Sequence, residues 1–390
     1  MRSSAPDCWF FLSRRVLECS NSYSTMSSSL DFEPDPKIRC REFKIGCIGA
    51  GFIMADVQLS AYSGAGFPVV AIASRTPARA AQVADRWKIP KVHPTPHELI
   101  EDPEVEIVDI AFPPDQQPDL IRHALRQKHV RAILAQKPLA MDFATATALV
   151  GEASAGDKIL SVNQNMRFDQ SMRVLRQLLD RDELGTLVLG TIEMRAIPHW
   201  QPFLEAYDRL TLLNMSVHHL DILRFLFGDP TEICTVVRRD PRTRFPHTDG
   251  ICVSTLKFPF DIMAVTMEDV WSGPREEGYE SDTYIKWRVE GTDGVAQGTI
   301  GWPDYPNGSP STLRYCSRKS TNGKWVQPTW ETSWFPHAFA GVMEQLQYAL
   351  KSGTTPVLNA TDNLETMALV EAAYRSVREH RSVRLAEFGF

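Results

Sequence analysis

The sequence has no apolar run that approaches the roughly 18 residues required to cross a membrane. It also has no long run of lysine or arginine, and 48 acidic against 42 basic residues give a formal net charge of −6. A chain of this charge does not attract a polyanion over long range. We therefore expect a soluble protein with neither a membrane nor a nucleic-acid partner.

Cysteine is scarce and irregularly placed, with seven residues in 390 and no C-x-x-C pair. An odd number at scattered spacings argues against both a disulfide framework and a zinc site. The pattern is typical of reduced thiols, so we expect a cytoplasmic protein without a bound metal. A G-x-S-x-G motif is also missing, which argues against a serine nucleophile.

Residues 1–40 lack the order of a secretory signal, because the short apolar patch Cys8–Leu12 precedes Arg14-Arg15 instead of following it. We interpret them as a disordered tail. Two alternatives stay open: a transit peptide, since arginine and serine are frequent and acids few, and an upstream start with Met26 as another initiator.

The remaining length suits two domains. Between residues 41 and 160, short apolar runs alternate with amphipathic ones, which predicts a parallel sheet with helices on both faces. The predicted strands are 43–48, 69–73, 106–112 and 130–134, and the predicted helices are 52–62, 77–87 and 119–127.

Residues 161–390 form the second predicted domain, in which a long helix over 210–226 ends before Gly228. The apolar runs that follow predict an open, mixed or antiparallel sheet with helices on one face, and Gly291–Gly294 has the composition of a hairpin turn. The predicted strands are 233–238, 252–258, 262–269, 283–289, 295–300 and 312–317. Helices over 339–350 and 361–379 close the chain, and the last is a candidate to pack back on the first domain.

A glycine motif, Gly49-Ala50-Gly51, lies between the first predicted strand and helix. Gly49 allows a tight turn, Gly51 lets the backbone approach a pyrophosphate, and the helix N-terminus supplies N–H groups. Met54 departs from the usual small residue, and a purely structural turn is the alternative. The fold class is therefore α/β: an N-terminal Rossmann dinucleotide-binding domain, then a C-terminal α+β domain with a large open, mostly antiparallel sheet.

The second strand ends in Ser74-Arg75-Thr76, where an acidic residue would bind the ribose hydroxyls of NAD. Hydroxyls and a guanidinium bind a 2′-phosphate instead. The sequence thus favours NADP over NAD, the alternative being that Arg75 is a solvated loop residue stacked on the adenine.

Two segments carry candidate chemistry. Lys137, before Pro138, follows the strand nearest the domain boundary, where it can stabilise a developing alkoxide. Asn214 and His218 share a helix face, and a neutral histidine is a suitable base for a hydroxyl proton. His219 lies about 100° around the helix and is not expected in the same pocket. A solvated lysine and a buried structural histidine are the alternatives.

These motifs together resemble the Gfo/Idh/MocA (glucose–fructose oxidoreductase/inositol dehydrogenase) family over residues 43–386. The resemblance rests on the segments Gly49-Ala50-Gly51-Phe52-Ile53, Ala111-Phe112-Pro113, Gln136-Lys137-Pro138, Asn163 with Arg167-Phe168-Asp169, Val217-His218-His219-Leu220-Asp221 and Glu371-Ala372-Ala373-Tyr374-Arg375-Ser376.

The resemblance implies an NAD(P)-dependent sugar or polyol dehydrogenase in which Lys137 binds the reacting hydroxyl and His218 is the general acid/base. It also implies a homo-oligomer, a dimer or tetramer. Gln136 replaces the family's Glu, and Asn214 replaces its Asp. Since Asn cannot stabilise an imidazolium as a carboxylate does, His218 should have a lower pKa than it would with Asp at position 214. The predicted cofactor contacts are Gly49, Gly51, Phe52, Ile53, Ser74, Arg75, Pro113 and Gln136.

The carbohydrate pocket is expected in the second domain, where most tryptophans lie. They are Trp200, Trp271, Trp287, Trp302, Trp325, Trp330 and Trp334. Arg167, His199, Trp200 and His337 are the predicted substrate contacts. The alternative function is a non-catalytic NAD(P)- or sugar-binding sensor, which the changes at Gln136 and Asn214 keep open.

Overall fold

Two β-sheets organise the computed structural model, which describes residues 30–196, 202–270, 283–301 and 309–390. Within these ranges no helix is both long enough and apolar enough to span a membrane. Their five cysteines are free thiols.

The first sheet has six parallel strands in the order β3-β2-β1-β4-β5-β6. They are β1 Ile45–Ile48, β2 Val69–Ala73, β3 Lys91–Val92, β4 Ile107–Ile110, β5 Ala132–Ala135 and β6 Ile159–Val162. Every residue of β1, β4 and β5 is buried, as expected for parallel strands covered on both faces. The strand order reverses between β1 and β4, which opens a crevice at the carboxyl ends of these strands.

Helices cover this sheet, and local signals set where several begin. A π-helical segment, Ile53–Gln58, continues into α1 Leu59–Ala65, followed by α2 Pro77–Trp87, α3 Pro96–Glu101, α4 Gln117–Leu125 and α5 Phe143–Ala155. Proline occupies the first turn of α2, α3 and α4, where its missing N–H costs nothing. The Asp142 side chain accepts from the backbone N–H of Thr145 and so caps α5.

The second sheet has nine strands in the order β14-β13-β12-β11-β7-β10-β9-β8-β15. They are β7 Leu187–Arg195, β8 Glu232–Arg238, β9 Ile251–Lys257, β10 Met263–Asp269, β11 Tyr284–Gly291, β12 Gly294–Ile300, β13 Thr312–Ser317, β14 Trp325–Val326 and β15 Val383–Arg384. Only β7 and β10 pair in parallel. Burial alternates along β9, so one face lies against helices and the other is open. The predicted mostly antiparallel sheet is confirmed.

Helices of the second half connect the two sheets. They are α6 Gln170–Asp180, a π-helical segment Leu212–Ser216 continuing into α7 Val217–Phe227, α8 Phe339–Ser352 and α9 Ala360–Glu379. Short helical turns lie at Asn165–Phe168, Pro202–Ala206, Pro259–Asp261, Trp334–Ala338 and Leu385–Phe388. Helix α9 contacts α5 of the first half as well as α7 and β8.

The interpretation of residues 1–40 as a disordered tail is wrong for residues 30–40. The backbone around Glu33 and Pro34 is bound by Gln177 and Arg173 of α6, and the Arg39 guanidinium pairs with the buried Glu344 carboxylate of α8. These contacts are polar and distant in sequence, so no local pattern marks the segment as ordered.

A buried ion-pair network holds α7 in place. Arg167, in the turn that follows β6, donates two hydrogen bonds of 2.7 Å to Asp221 of α7 and one of 2.8 Å to Asp362 of α9. Arg167 and Asp221 are both buried. The network therefore ties the crossover between the sheets to the two helices.

Removing one member leaves an uncompensated buried charge, so Asp221→Ala should lower the free energy of unfolding by about 3–5 kcal/mol. Asp180→Ala is the control, because Asp180 pairs with Arg176 at the surface and should cost less than about 1 kcal/mol. Denaturant unfolding measures both. A loss at Asp221 as small as that at Asp180 would contradict the structural role of the network.

Candidate active site

A cleft of about 570 Å³ lies between the carboxyl edge of the first sheet and the start of α7. It brings together all eight predicted cofactor contacts and the three predicted catalytic residues. The lining comprises Gly49, Ala50, Gly51, Phe52, Ile53, Met54, Ser74, Arg75, Thr76, Arg79, Ala111, Phe112, Pro113, Pro114, Gln136, Lys137, Asn165, Met166, Met194, Phe203, Asn214, Met215, His218, His219, Ile285, Trp334, Phe335 and Phe339.

The glycine loop has the geometry of a phosphate seat. Gly49 has φ +125°, and a Cβ there would lie 2.7 Å from the Ala111 carbonyl oxygen, so only glycine fits. Apart from the adjacent residues of the chain, no heavy atom of the described residues lies within 4 Å of a Cβ placed on Gly51, which leaves this side open to a ligand. Met54 is fully buried in the π-helical turn after the loop, where the larger side chain is accommodated.

Cations but no carboxylates line the end of the cleft next to β2, as far as the structure describes it. The Arg75 Nη1 donates to Gln116 Oε1 at 3.1 Å, and Arg79, which the sequence analysis did not single out, lies on the same wall. The Ser74 hydroxyl is engaged with the backbone N–H and carbonyl of Thr76 at 3.0 and 2.8 Å. Ser74 therefore shapes the turn that presents Arg75.

The loop that carries Lys137 is held by Gln117, another residue without a sequence signal. Gln117 Nε2 donates to the carbonyl oxygens of Gln136, Pro138 and Leu139 at 2.9, 2.7 and 3.0 Å, and its Oε1 accepts from the Gln136 N–H at 3.0 Å. One buried side chain thereby fixes three peptide groups around the lysine.

The Lys137 ammonium reaches across to the second half of the chain, where Nζ donates to the backbone carbonyl of Asn214 at 2.7 Å. Burial disfavours the charged form and lowers the pKa of Lys137 to about 7. The amine is thus poised to gain or lose its proton near neutral pH.

His218 is buried, and the described residues offer no hydrogen-bond partner to its Nδ1. Its ring packs edge-on against Trp334 with 6.1 Å between the centroids. Burial, followed by the nearby positive charges of Lys137 and His219, lowers the pKa of His218 well below its ordinary value. The direction agrees with the expected retuning, but burial is the main cause.

The prediction that His219 lies outside the pocket of His218 is wrong. Both residues line the cleft, because the helical angle sets which face a side chain occupies but not how much of the helix the cleft contacts. The Nδ1 of His219 lies 2.9 Å from Oε1 of the fully buried Glu268 on β10. A carboxylate accepts, so this Nδ1 carries a hydrogen.

Two predicted substrate contacts are not in the cleft. Arg167 is engaged in the ion-pair network, which also occupies Asp221, and His337 is exposed and accepts from the Ser333 N–H through Nδ1 at 3.1 Å. His199 and Trp200 lie outside the described residues. Aromatic residues that do line the cleft include the neighbours Trp334 and Phe335, here called the aromatic wall.

Comparisons with known proteins identify the family of the chain. Residues 43–164 match the model of the GFO/IDH/MocA oxidoreductase family with an NAD-binding Rossmann fold, and residues 172–297 match the GFO/IDH/MocA C-terminal domain. The chain is 28% identical to D-apiose dehydrogenase of Rhizobium rhizogenes, over 88% of this chain and 97% of that protein. It is 24% identical to myo-inositol 2-dehydrogenase of Thermotoga maritima, over 79% and 88%.

Among solved structures, an oxidoreductase from Agrobacterium radiobacter in complex with NAD⁺, L-tartaric acid and magnesium has the same fold. The TM-score is 0.74 at 24% identity, covering 89% of this chain and 99% of that one.

The lowered pKa of Lys137 makes a stability prediction. On folding, the Lys137 side chain must either lose its proton or be buried as a charged ammonium. The free-energy cost is largest below pH 7 and decreases as the pH rises toward the pKa of lysine in the unfolded chain. Lys137→Met should therefore raise the melting temperature of the ligand-free protein more at pH 6 than at pH 9. Thermal unfolding at both pH values measures this, with the exposed Lys128 mutated to Met as control; equal shifts at Lys137 would contradict the burial argument.

Proposed function

The chain belongs to the Gfo/Idh/MocA family of oxidoreductases, and we propose that it transfers a hydride between NAD(P) and a carbinol carbon of a sugar, glycoside or cyclitol. One observation carries the proposal: the Lys137 ammonium and the neutral His218 ring line the same cleft as the glycine loop. The substrate class follows the names of the relatives.

Two side chains bind the reacting hydroxyl and transfer its proton. The Lys137 ammonium donates to the hydroxyl oxygen and stabilises the negative charge that develops there. His218, kept neutral at pH 7 by its low pKa, takes the hydroxyl proton in oxidation and returns it in reduction. When bound in this cleft, NAD(P) would supply the hydride acceptor or donor.

The described residues fit a dinucleotide. The open side of Gly51 and the first helical N–H groups suit the pyrophosphate, and Pro113 and Gln136 line the same cleft as Lys137. At the other end Arg75 and Arg79, without a competing carboxylate among the described lining residues, favour the 2′-phosphate of NADP over the free ribose of NAD.

The aromatic wall of Trp334 and Phe335 offers flat apolar faces to the C–H face of a sugar. Trp334 is oriented by its Nε1, which donates to Asn165 Oδ1 at 2.9 Å. His219, held by Glu268, also lines the cleft and adds a polar group to it.

The proposal extends to assembly and location. The open face of the second sheet exposes Val236, Val253 and Met263, which suits a dimer or tetramer. The free thiols suit a cytoplasmic location.

Catalysis is tested by nicotinamide absorbance with NAD⁺ and NADP⁺ against a panel of sugars, glycosides and cyclitols. Lys137→Ala and His218→Ala should each reduce turnover by about 10²–10⁴-fold. His97→Ala, an exposed histidine on α3, should leave turnover unchanged. Cofactor binding without turnover on the whole panel would instead support the alternative, a non-catalytic sensor.

Cofactor preference is tested at Arg75. Loss of a charge-assisted contact to the 2′-phosphate should raise the Kd for NADP⁺ by about tenfold or more in Arg75→Ala, and the Kd for NAD⁺ much less. Calorimetric titration of both cofactors measures this, with the exposed Arg126→Ala as control. An equal change for both cofactors would mean that Arg75 only packs on the adenosine.

A further inference from the structure

A buried carboxylate in the centre of the first sheet is connected to the cleft by hydrogen bonds. Asp109 of β4 is fully buried, and its Oδ2 accepts from Gln58 Nε2 at 2.6 Å and from the Tyr62 hydroxyl at 2.7 Å. Burial raises the pKa of Asp109 to about 7. Such a group weakens the fold increasingly as the pH rises toward that value, so packing alone does not explain its presence.

The carboxylate determines which way the Gln58 amide points. An ionised carboxylate only accepts, so Gln58 must turn its Nε2 toward Asp109 and its Oε1 away. That Oε1 accepts from Gln136 Nε2 at 2.9 Å. Gln136 is in turn obliged to use its amide nitrogen as the donor inside the protein.

One polar atom of Gln136 is available to a ligand. Its backbone N–H and carbonyl are both bonded to Gln117, and its Nε2 to Gln58. Within the described ranges Oε1 is the polar atom of this residue that has no protein hydrogen bond, and Gln136 lines the cleft beside Lys137.

We propose that Asp109 is a positioning residue: acting through Gln58, it orients the Gln136 carboxamide so that Oε1 accepts a hydrogen bond from a ligand hydroxyl in the cleft. Without this constraint an amide can exchange its oxygen and nitrogen at little cost. The inference rests on the proposed function, since the hydroxyl belongs either to the nicotinamide ribose or to the substrate.

A pair of single variants and their combination tests the orientation. In Asp109→Asn the new amide can donate or accept, so Gln58 and Gln136 are free to flip. In Gln136→Glu a carboxylate faces Gln58 Oε1, and Gln58 cannot flip without turning that oxygen toward Asp109. Together the two changes are compatible, because the amide introduced at position 109 donates to Gln58 Oε1, and Gln58 Nε2 donates to the carboxylate introduced at position 136.

Binding of NAD⁺ and NADP⁺ and the KM for the best substrate of the panel should be measured at pH 8.5, where Asp109 is ionised. Each single variant should raise either the Kd of the cofactors or the KM of the substrate by about three- to tenfold, the value of one neutral hydrogen bond. In the double variant the same quantity should return to within about twofold of wild type. Weaker cofactor binding identifies the ribose as the hydroxyl, and a raised KM alone identifies the substrate.

Gln136→Met is the control, because it removes the acceptor in either background and Asp109→Asn should not rescue it. The melting temperature of Asp109→Asn should not fall at pH 8.5, since a buried charge is removed, which separates positioning from folding. If the losses of affinity in the two single variants multiplied in the double variant, or if Asp109→Asn bound its ligands normally, the inference would be overturned and the proposed function would stand. Wild-type protein that binds neither cofactor would overturn the proposed function and this inference with it.

Discussion

The hydrogen bond from Lys137 Nζ to the Asn214 carbonyl is the contact on which the site depends, because it joins the end of β5 to the start of α7. An ammonium has three donors, and this bond uses one, the single hydrogen bond that the described residues give it. The other two N–H groups of the ammonium have no acceptor among the described residues. Burying a charge in this way weakens the fold, and a ligand oxygen is what would offset the cost.

Both ends of that bond are held rigidly. On one side Gln117 fixes three carbonyl oxygens around the lysine. On the other, Asp221 and Arg224 anchor α7 to the crossover and to α9, and His219 ties it to β10 through Glu268. The helix that carries His218 is therefore attached on several faces, which preserves the geometry that hydride transfer needs.

Local sequence patterns predicted much of this arrangement. Strand β2, helix α2 and strand β13 lie where the apolar patterns and proline placed them, and the turn at Gly291–Gly294 joins β11 to β12. Strands β3 and β7 were missed. The two residues of β3 carry no periodicity, and β7 begins with Leu187-Val188-Leu189, where apolar and polar residues do not alternate, although Ile192 and Met194 further along are buried.

In the candidate site, too, some residues could be predicted from the sequence and others could not. Gly49 and Lys137 could be recognised because a turn and a strand end demand particular residue types at particular places. The roles of Arg167, Gln117 and Asp109 could not be predicted, because their partners are remote in the chain and a single sequence does not show which polar residues meet. The role of His219 was misjudged for a related reason: helical angle predicts which face a side chain occupies, but not how far a cleft curves around it.

The central claim is that this cleft moves a hydride from a carbinol carbon with the help of Lys137. Its most direct test is a single turnover with substrate deuterated at that carbon, followed by mass analysis of the nicotinamide cofactor. The account predicts deuterium in the reduced cofactor of the wild-type protein and a far slower appearance of the label in Lys137→Ala. Label that never enters the cofactor, or enters it equally fast in both proteins, would contradict it.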